Sequence, residues 1–203
     1  MRILISNDDS IWSYGIKLLE KIASQLSNDV WVIAPNSQQS CAAHSLTLDV
    51  PLRIHKIDER HYSISGTPTD SVLMAIQIIM KDKKPDLVLS GINHGSNLGE
   101  DIEYSGTVAA AMEGALFGIP AIALSAPYIG NGDISFESAK NHGLEIIQHI
   151  IQDFPGPNIV VNVNFPKLEK AKGYKVTKQG IRSPSNNITE SIDQFGTPCY
   201  WIG

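Results

Sequence analysis

Short apolar runs alternate with helical apolar stripes along this chain. Ile3, Leu4 and Ile5 follow one another and stop at Ser6, Asn7, Asp8 and Asp9; an uninterrupted run of that kind predicts a strand covered on both faces of a sheet. Ile16, Leu18, Leu19, Ile22, Ala23 and Leu26 then recur at helical spacing, with Lys17, Glu20, Lys21 and Gln25 between them, which predicts an amphipathic helix. Residues 30–34 return to an apolar run that ends at Pro35, completing a parallel βαβ unit. Residues 52–57 and 61–64 alternate around Asp58, Glu59 and Arg60, the pattern of an edge hairpin. Thr67 and Pro68 open a helix through Met80, since proline's missing donor is harmless in a first turn. Strands are predicted over residues 85–90, 120–125 and 158–164, and helices over 107–116 and 136–152. Residues 174–177 read as a further strand, whereas 180–197 show scattered Ser, Pro, Asn and Gly.

These elements add up to an α/β chain: a Rossmann-like, open, mostly parallel sheet flanked by helices over residues 1–165, with a β-hairpin excursion, followed by an extension over 166–203. Between β-type segments, residues 36–49 turn to Ser, Gln, Asn, Ala and His, a stretch too polar for core and too long for a simple connection; such loops carry function. Trp31 is predicted to be core, and Trp12, just after the acid pair, to line or cover a pocket.

Composition narrows the picture. At 203 residues with 42% hydrophobic and 18% charged, the chain can bury a sizeable core and is neither a disordered tail nor a disulfide scaffold. Sixteen Lys and Arg against twenty-one Asp and Glu leave a net charge of −5, so no general positive field is present to hold a nucleic-acid polymer, and a phosphate ligand needs local donors or a metal. Cys41 and Cys199 stand far apart without metal-type spacing, and no secretory leader is seen, so a cytoplasmic location is expected. The apolar runs fall well short of the roughly 20 residues a membrane helix needs, so no membrane association is expected.

In an open parallel sheet, ligands bind beyond the carboxyl ends of the strands, where strand order reverses. Those exits offer Asn7, Asp8 and Asp9, then Ser40 in the polar loop, then Asn93 and Asn97, then Ser125. This all-oxygen set suits a hard divalent cation such as Mg²⁺ or Mn²⁺. Adjacent strand residues point to opposite faces, so Asp8 and Asp9 can share a cation only if the strand has ended before them; alternatively one of them caps a helix or faces water. Ser105, Gly106 and Thr107 precede a helix, where they serve either as phosphate donors or as an ordinary cap. His44 lies in the polar loop as a phosphate contact, an acid or a solvent-facing side chain, and His94 is the one other histidine beside the candidate site.

Five ordered motifs then carry a resemblance: residues 5–9 (Ile-Ser-Asn-Asp-Asp), residues 32–35 leading to Ser40 and His44, residues 66–70, residues 90–95 and residues 104–108. Together they are similar to the SurE family, metal-dependent 5′-nucleotidases. The resemblance implies metal ligands at Asp8, Asp9, Ser40 and Asn93, and phosphate contacts at Asn97, Ser105, Gly106 and Thr107, with His44 added as a substrate contact. It implies one Mg²⁺ or Mn²⁺ per subunit, a nucleoside monophosphate substrate, and a homodimer or homotetramer assembled through the C-terminal extension. Asp8, Asp9 and Asn97 are then the catalytic residues, with water rather than a protein group attacking the phosphoryl centre; 3′-monophosphates and short polyphosphate are further candidate substrates. Two positions depart from the family pattern: Ser10 and Ala43 stand where glycine is usual, and the pattern itself continues past residues 200–203. A phosphatase with an aspartyl nucleophile wants an acid two positions after Asp8, where Ser10 stands. A receiver-like signalling module using the Asp8/Asp9 pair wants an acceptor Asp and a Lys, where Asn93 and Ser125 stand.

Overall fold

A computed structural model describes residues 1–130, 132–181 and 188–202. The predicted first unit forms as β1 (Arg2–Ser6), α1 (Tyr14–Ala23) and β2 (Asp29–Pro35), and an edge pair follows as β3 (Ile54–Lys56) and β4 (His61–Ile64). Next come α2 (Pro68–Met74), which widens into a π-helical turn over Ala75–Ile79, and β5 (Leu87–His94). Helices α3 (Asp101–Tyr104) and α4 (Gly106–Leu116) lead to β6 (Ala121–Ala126), a small hairpin β7 (Tyr128–Gly130) and β8 (Asp133–Ile134), α5 (Glu137–Gln152) and β9 (Val160–Asn164). The chain closes on β10 (Ile188–Ile192) and β11 (Pro198–Ile202).

One seven-stranded sheet, ordered β3-β4-β2-β1-β5-β6-β9, organises the molecule. Every neighbouring pair is parallel except β3 with β4 at one edge. The chain moves outward from β1 through β2 and β4, then returns to lay β5 on the other side of β1, so strand order reverses between β1 and β5. That reversal opens a crevice at the carboxyl ends of these two strands.

Alternation within the buried strands divides the core in two. Ile3 and Ile5 of β1, with Leu87, Leu89, Ile122 and Leu124, pack under α1 and α5. Leu4, with Ile33, Val88, Ala121 and Ala123, packs under α2 and α4. On this second face, α4 lies close to the sheet because its inner side is glycine and alanine: a Cβ on Gly114 would come within 2.6 Å of Val88 Cγ2. On the first face, Gly15 abuts β5, where a Cβ would meet the Ile92 carbonyl oxygen at 2.0 Å. Trp31 is half-buried at the rim rather than in the core; its ring stacks on Tyr62 at 6.3 Å with the Arg2 guanidinium 5.3 Å away.

The extension differs most from its sequence pattern. Residues 174–177 form no strand, and Val176 is exposed, with no strand alongside it among the described residues. The segment read as patternless holds β10 instead, paired antiparallel with β11. Their turn is built by Asp193, whose Oδ1 accepts the backbone N–H groups of Phe195 and Thr197 at 2.8 and 2.9 Å, with Gly196 at φ +83°.

Candidate phosphate and cation site

β1 ends at Ser6, so Asn7, Asp8 and Asp9 lie on the turn beyond it, the placement that lets both carboxylates face one crevice. Asn7 fixes this turn by donating through Nδ2 to the Ser10 carbonyl and to Ser13 Oγ, both at 2.9 Å. Ser13 in turn caps α1 by accepting from the Ile16 N–H. The tightest point of the turn is Ser10, at φ +83°, a left-handed conformation that an L side chain adopts at a cost. Ser10→Gly is therefore expected to stabilise the protein by about 1 kcal/mol, a rise in Tm of roughly 2–4 °C. Thermal melting checks this; an unchanged or lowered Tm removes the strain argument.

Asp8 is buried, and its carboxylate accepts a hydrogen bond from the Thr107 hydroxyl. Burial pushes the Asp8 carboxyl up to about 6, with the Thr107 hydrogen bond opposing and the Asp9 charge adding to the rise. Asp9 is raised as well, by burial, against the stabilising influence of His94. The Asp9 carboxylate accepts the His94 backbone N–H on Oδ2 at 3.0 Å, and its Oδ1 lies 3.5 Å from His94 Nδ1. That contact brings the end of β5, including Asn93, against the acid pair. Asn93 spends its Nδ2 on the Gly95 carbonyl at 2.8 Å, so its amide oxygen is the end left for a cation.

The polar loop reaches the same place. The Gln39 N–H donates to the Asp8 carbonyl at 2.8 Å, which seats exposed Ser40 at the rim, where Ser40 Oγ accepts from Gln38 Nε2 at 2.9 Å. No group of three or more His, Cys, Asp and Glu side chains converges as a metal cage among the described residues. A cation here needs amide or hydroxyl oxygens beside the acids, the chemistry that Asn93 and Ser40 offer. The acid pair fits a cation on a further ground: two adjacent, raised carboxylates have no Lys or Arg partner among the described residues, and the buried Asn7 Oδ1 beside them has no hydrogen-bond partner.

Across the crevice stands the start of α4. Ser105 Oγ accepts from the Val108 N–H at 3.0 Å and so caps the helix, while its own O–H is still able to donate. Capping at that position leaves the N–H groups of Gly106 and Thr107 without helical acceptors at the positive end of the helix dipole, and the Thr107 N–H, like its hydroxyl, is turned to the Asp8 carboxylate. Gly106 lies against Asp8: a Cβ there would meet Asp8 Cβ at 2.8 Å. Asn97 is held at the ends of β6 and β9 by Ser125, Asn162 and Asn164. Its N–H donates to Asn164 Oδ1 at 2.8 Å, its carbonyl accepts from Asn162 and Asn164 at 2.9 and 3.0 Å, and its Nδ2 donates to Ser125 Oγ at 2.9 Å. Asn162 and Asn164 were legible as a polar pair at strand period on one face of an otherwise apolar β9. The second N–H of the Asn97 amide remains for a ligand.

His44 meets Glu113 on α4, with Nε2 2.9 Å from Oε2. Asp70, part of the capping box of α2, is also more than a cap. It accepts the Thr47 N–H and hydroxyl at 3.1 and 2.6 Å and so latches the far end of the polar loop.

An adjacent acid pair, a helix start against it and a polar loop tied to it thus meet at the switch point. A family model described as Survival protein SurE matches residues 3–186. The chain is 50% identical over 205 residues to the 5′-nucleotidase SurE of Paramagnetospirillum magneticum, covering 100% of this chain and 79% of that protein. To the 5′-nucleotidase SurE of Erythrobacter litoralis it is 46% identical over 207 residues, covering 100% of this chain and 82% of the relative. The crystal structure of the SurE protein from Aquifex aeolicus superposes with a TM-score of 0.83 at 42% identity, covering 100% of this chain and 82% of that one. Sequence motifs, sheet order and these likenesses agree, and the chain belongs to the Survival protein SurE family.

Proposed function

We propose that this chain is a 5′-nucleotidase that hydrolyses nucleoside 5′-monophosphates with a divalent cation, Mg²⁺ or Mn²⁺. The observation that carries the reading is the contact between the Asp8 carboxylate and the start of α4, made by the Thr107 hydroxyl and by the bare face of Gly106. It sets an anion-binding helix end directly against an acid pair, an arrangement that is repulsive for a phosphate unless a cation lies between. Asp8, Asp9, Ser40 and Asn93 would hold that cation. When bound, it supplies positive charge at the phosphoryl oxygens and lowers the pKa of water.

The chain's own groups do the rest. The Gly106 N–H and the Asn97 amide bind the equatorial phosphoryl oxygens, where charge grows in the transition state. Asp9, fixed by the His94 N–H, orients the attacking water and takes its proton as the water oxygen bonds to phosphorus. The P–O bond to the nucleoside breaks, and the leaving oxygen takes a proton from solvent, giving nucleoside and inorganic phosphate. These contacts address the phosphoryl group and not its substituent, so 3′-monophosphates and short polyphosphate belong in the same assay.

The test is phosphate release from AMP, other nucleoside 5′- and 3′-monophosphates and polyphosphate, with Mg²⁺, with Mn²⁺ and with chelator. Release from 5′-monophosphates that chelator abolishes supports the reading, and undiminished release in chelator overturns its metal dependence. Acetyl phosphate labelling of the protein without turnover points to the receiver-like module instead.

We also read β10–β11 as the surface through which copies associate into a homodimer or homotetramer. Ile188, Ile192, Tyr200, Trp201 and Ile202 are all exposed on a two-stranded ribbon, a unit that is marginal by itself. No helix is long and apolar enough to cross a membrane among the described residues. Trp201→Glu is expected to shift sedimentation toward the monomer; an unchanged distribution removes the hairpin from the interface.

A further inference from the structure

Glu113 has no part in the reaction above, yet it is a buried carboxylate on α4, 7% exposed. The other buried residues of that helix are Gly, Thr, Val and Ala, so packing gives no reason for an acid. A carboxylate inside a protein is costly unless paired, and the partner here is His44, whose Nε2–H donates to Glu113 Oε2 at 2.9 Å. Seven residues, close to two helical turns, separate Gly106 from Glu113, so the acid stands on the side of α4 that faces Asp8.

The contact falls on a stretch that needs outside support. Cys41 and Ala43 sit at φ +56° and +49°, a strained region for residues with a Cβ. Backbone hydrogen bonds hold this stretch at Gln39, on the Asp8 carbonyl, and at Ala43, whose N–H reaches the Tyr104 carbonyl at 3.2 Å. Beyond Ala43 the next anchors are Ser45, whose carbonyl accepts from Thr67 Oγ1, and Thr47 on Asp70. His44 on Glu113 is the side-chain tie that joins the strained segment to α4.

We propose that Glu113 is a positioning residue: through His44 it clamps residues 39–45 against α4 and so keeps Ser40 at the rim of the acid pair. This rests on the phosphomonoesterase reading for its kinetic consequence, but the clamp itself does not. The test is Glu113→Leu in the full chain, followed by amide hydrogen exchange and by AMP hydrolysis with Mn²⁺. Losing a charge-assisted hydrogen bond should speed exchange in residues 39–45 by about tenfold or more, with the amides of α4 still protected. The KM for AMP and the half-saturating Mn²⁺ concentration should rise, lowering kcat/KM roughly 10–100-fold, while kcat at saturation changes far less.

A residue that only fills space would lower Tm and the yield of folded enzyme and leave loop exchange, KM and the Mn²⁺ requirement unmoved; that result overturns the proposal. Glu113→Gln keeps an oxygen acceptor for His44 and should recover most of both losses. His44→Ala breaks the same tie from the surface side, so it decides the matter if Glu113→Leu does not fold; unchanged exchange in residues 39–45 again overturns the clamp. Should the parent protein release no phosphate from AMP, the enzymatic reading falls, and loop exchange alone supports or overturns the role of Glu113.

Discussion

Asp8→Asn should lower turnover of AMP roughly 10²–10³-fold and at the same time make the metal-free protein more stable at pH 8. The two effects share one cause. Asp8 titrates near 6 in the folded protein against a reference of 3.8, because burial disfavours its charge. Between these values the folded state holds the proton and the unfolded chain has lost it, so stability falls as pH rises through that window. Above pH 6 the native state carries a buried carboxylate at a cost of about 3 kcal/mol, the equivalent of the shift. Asparagine does not titrate, and its Oδ1 still accepts from Thr107. Melting curves in chelator at pH 5 and pH 8 should show the gap between variant and parent widening in the variant's favour as pH rises. Added Mn²⁺ should raise the Tm of the parent but not of the variant. Equal melting at pH 8 would refute the stability half, and retained turnover the catalytic half.

Gly106→Ala is expected to cost roughly 100-fold in kcat/KM, a loss typical of misplacement by about 1 Å near the reacting centre. A methyl group there meets Asp8 Cβ at 2.8 Å, Pro68 Cγ at 3.0 Å and Asp8 Oδ2 at 3.2 Å. None of the three is the loose end of a long side chain, so the helix start and the acid pair must move apart. Alanine is a better helix former than glycine, which offsets part of the overpacking, so the drop in stability should be modest beside the drop in rate. Gly180→Ala, where a Cβ meets nothing within 4 Å, is the matched control. Parent-like kinetics in Gly106→Ala would show that the helix start does not face the substrate.

The central sheet was legible in the sequence because its strands are buried on both faces and read as unbroken apolar runs, Ile3 to Ile5 being the plainest. The acid pair and the helix start followed from where those runs stop. The partners that hold the candidate residues were harder to see. Glu113 belongs to a helix of small apolar residues and meets His44 only through a contact spanning 69 positions, which no local pattern encodes. Asp70 announces itself as a helix cap, and its hold on Thr47 appears only when the polar loop is folded back over α2. Ser105 was readable in two ways, and its capping contact to Val108 leaves the hydroxyl proton able to serve in the other. Strand β10 escaped because Thr189, Glu190 and Ser191 interrupt the apolar signal that marks a half-buried strand.

The two bare contacts of α4, Gly114 on Val88 and Gly106 on Asp8, act as a spacer gauge. One sets the depth at which the helix rests on β5, and the other sets the gap between its first turn and the end of β1. The width of the candidate slot is therefore a dimension of the core and not of the loops around it. Sequence change in the loops can alter what enters the slot, whereas its width changes only if helix and sheet are re-seated together.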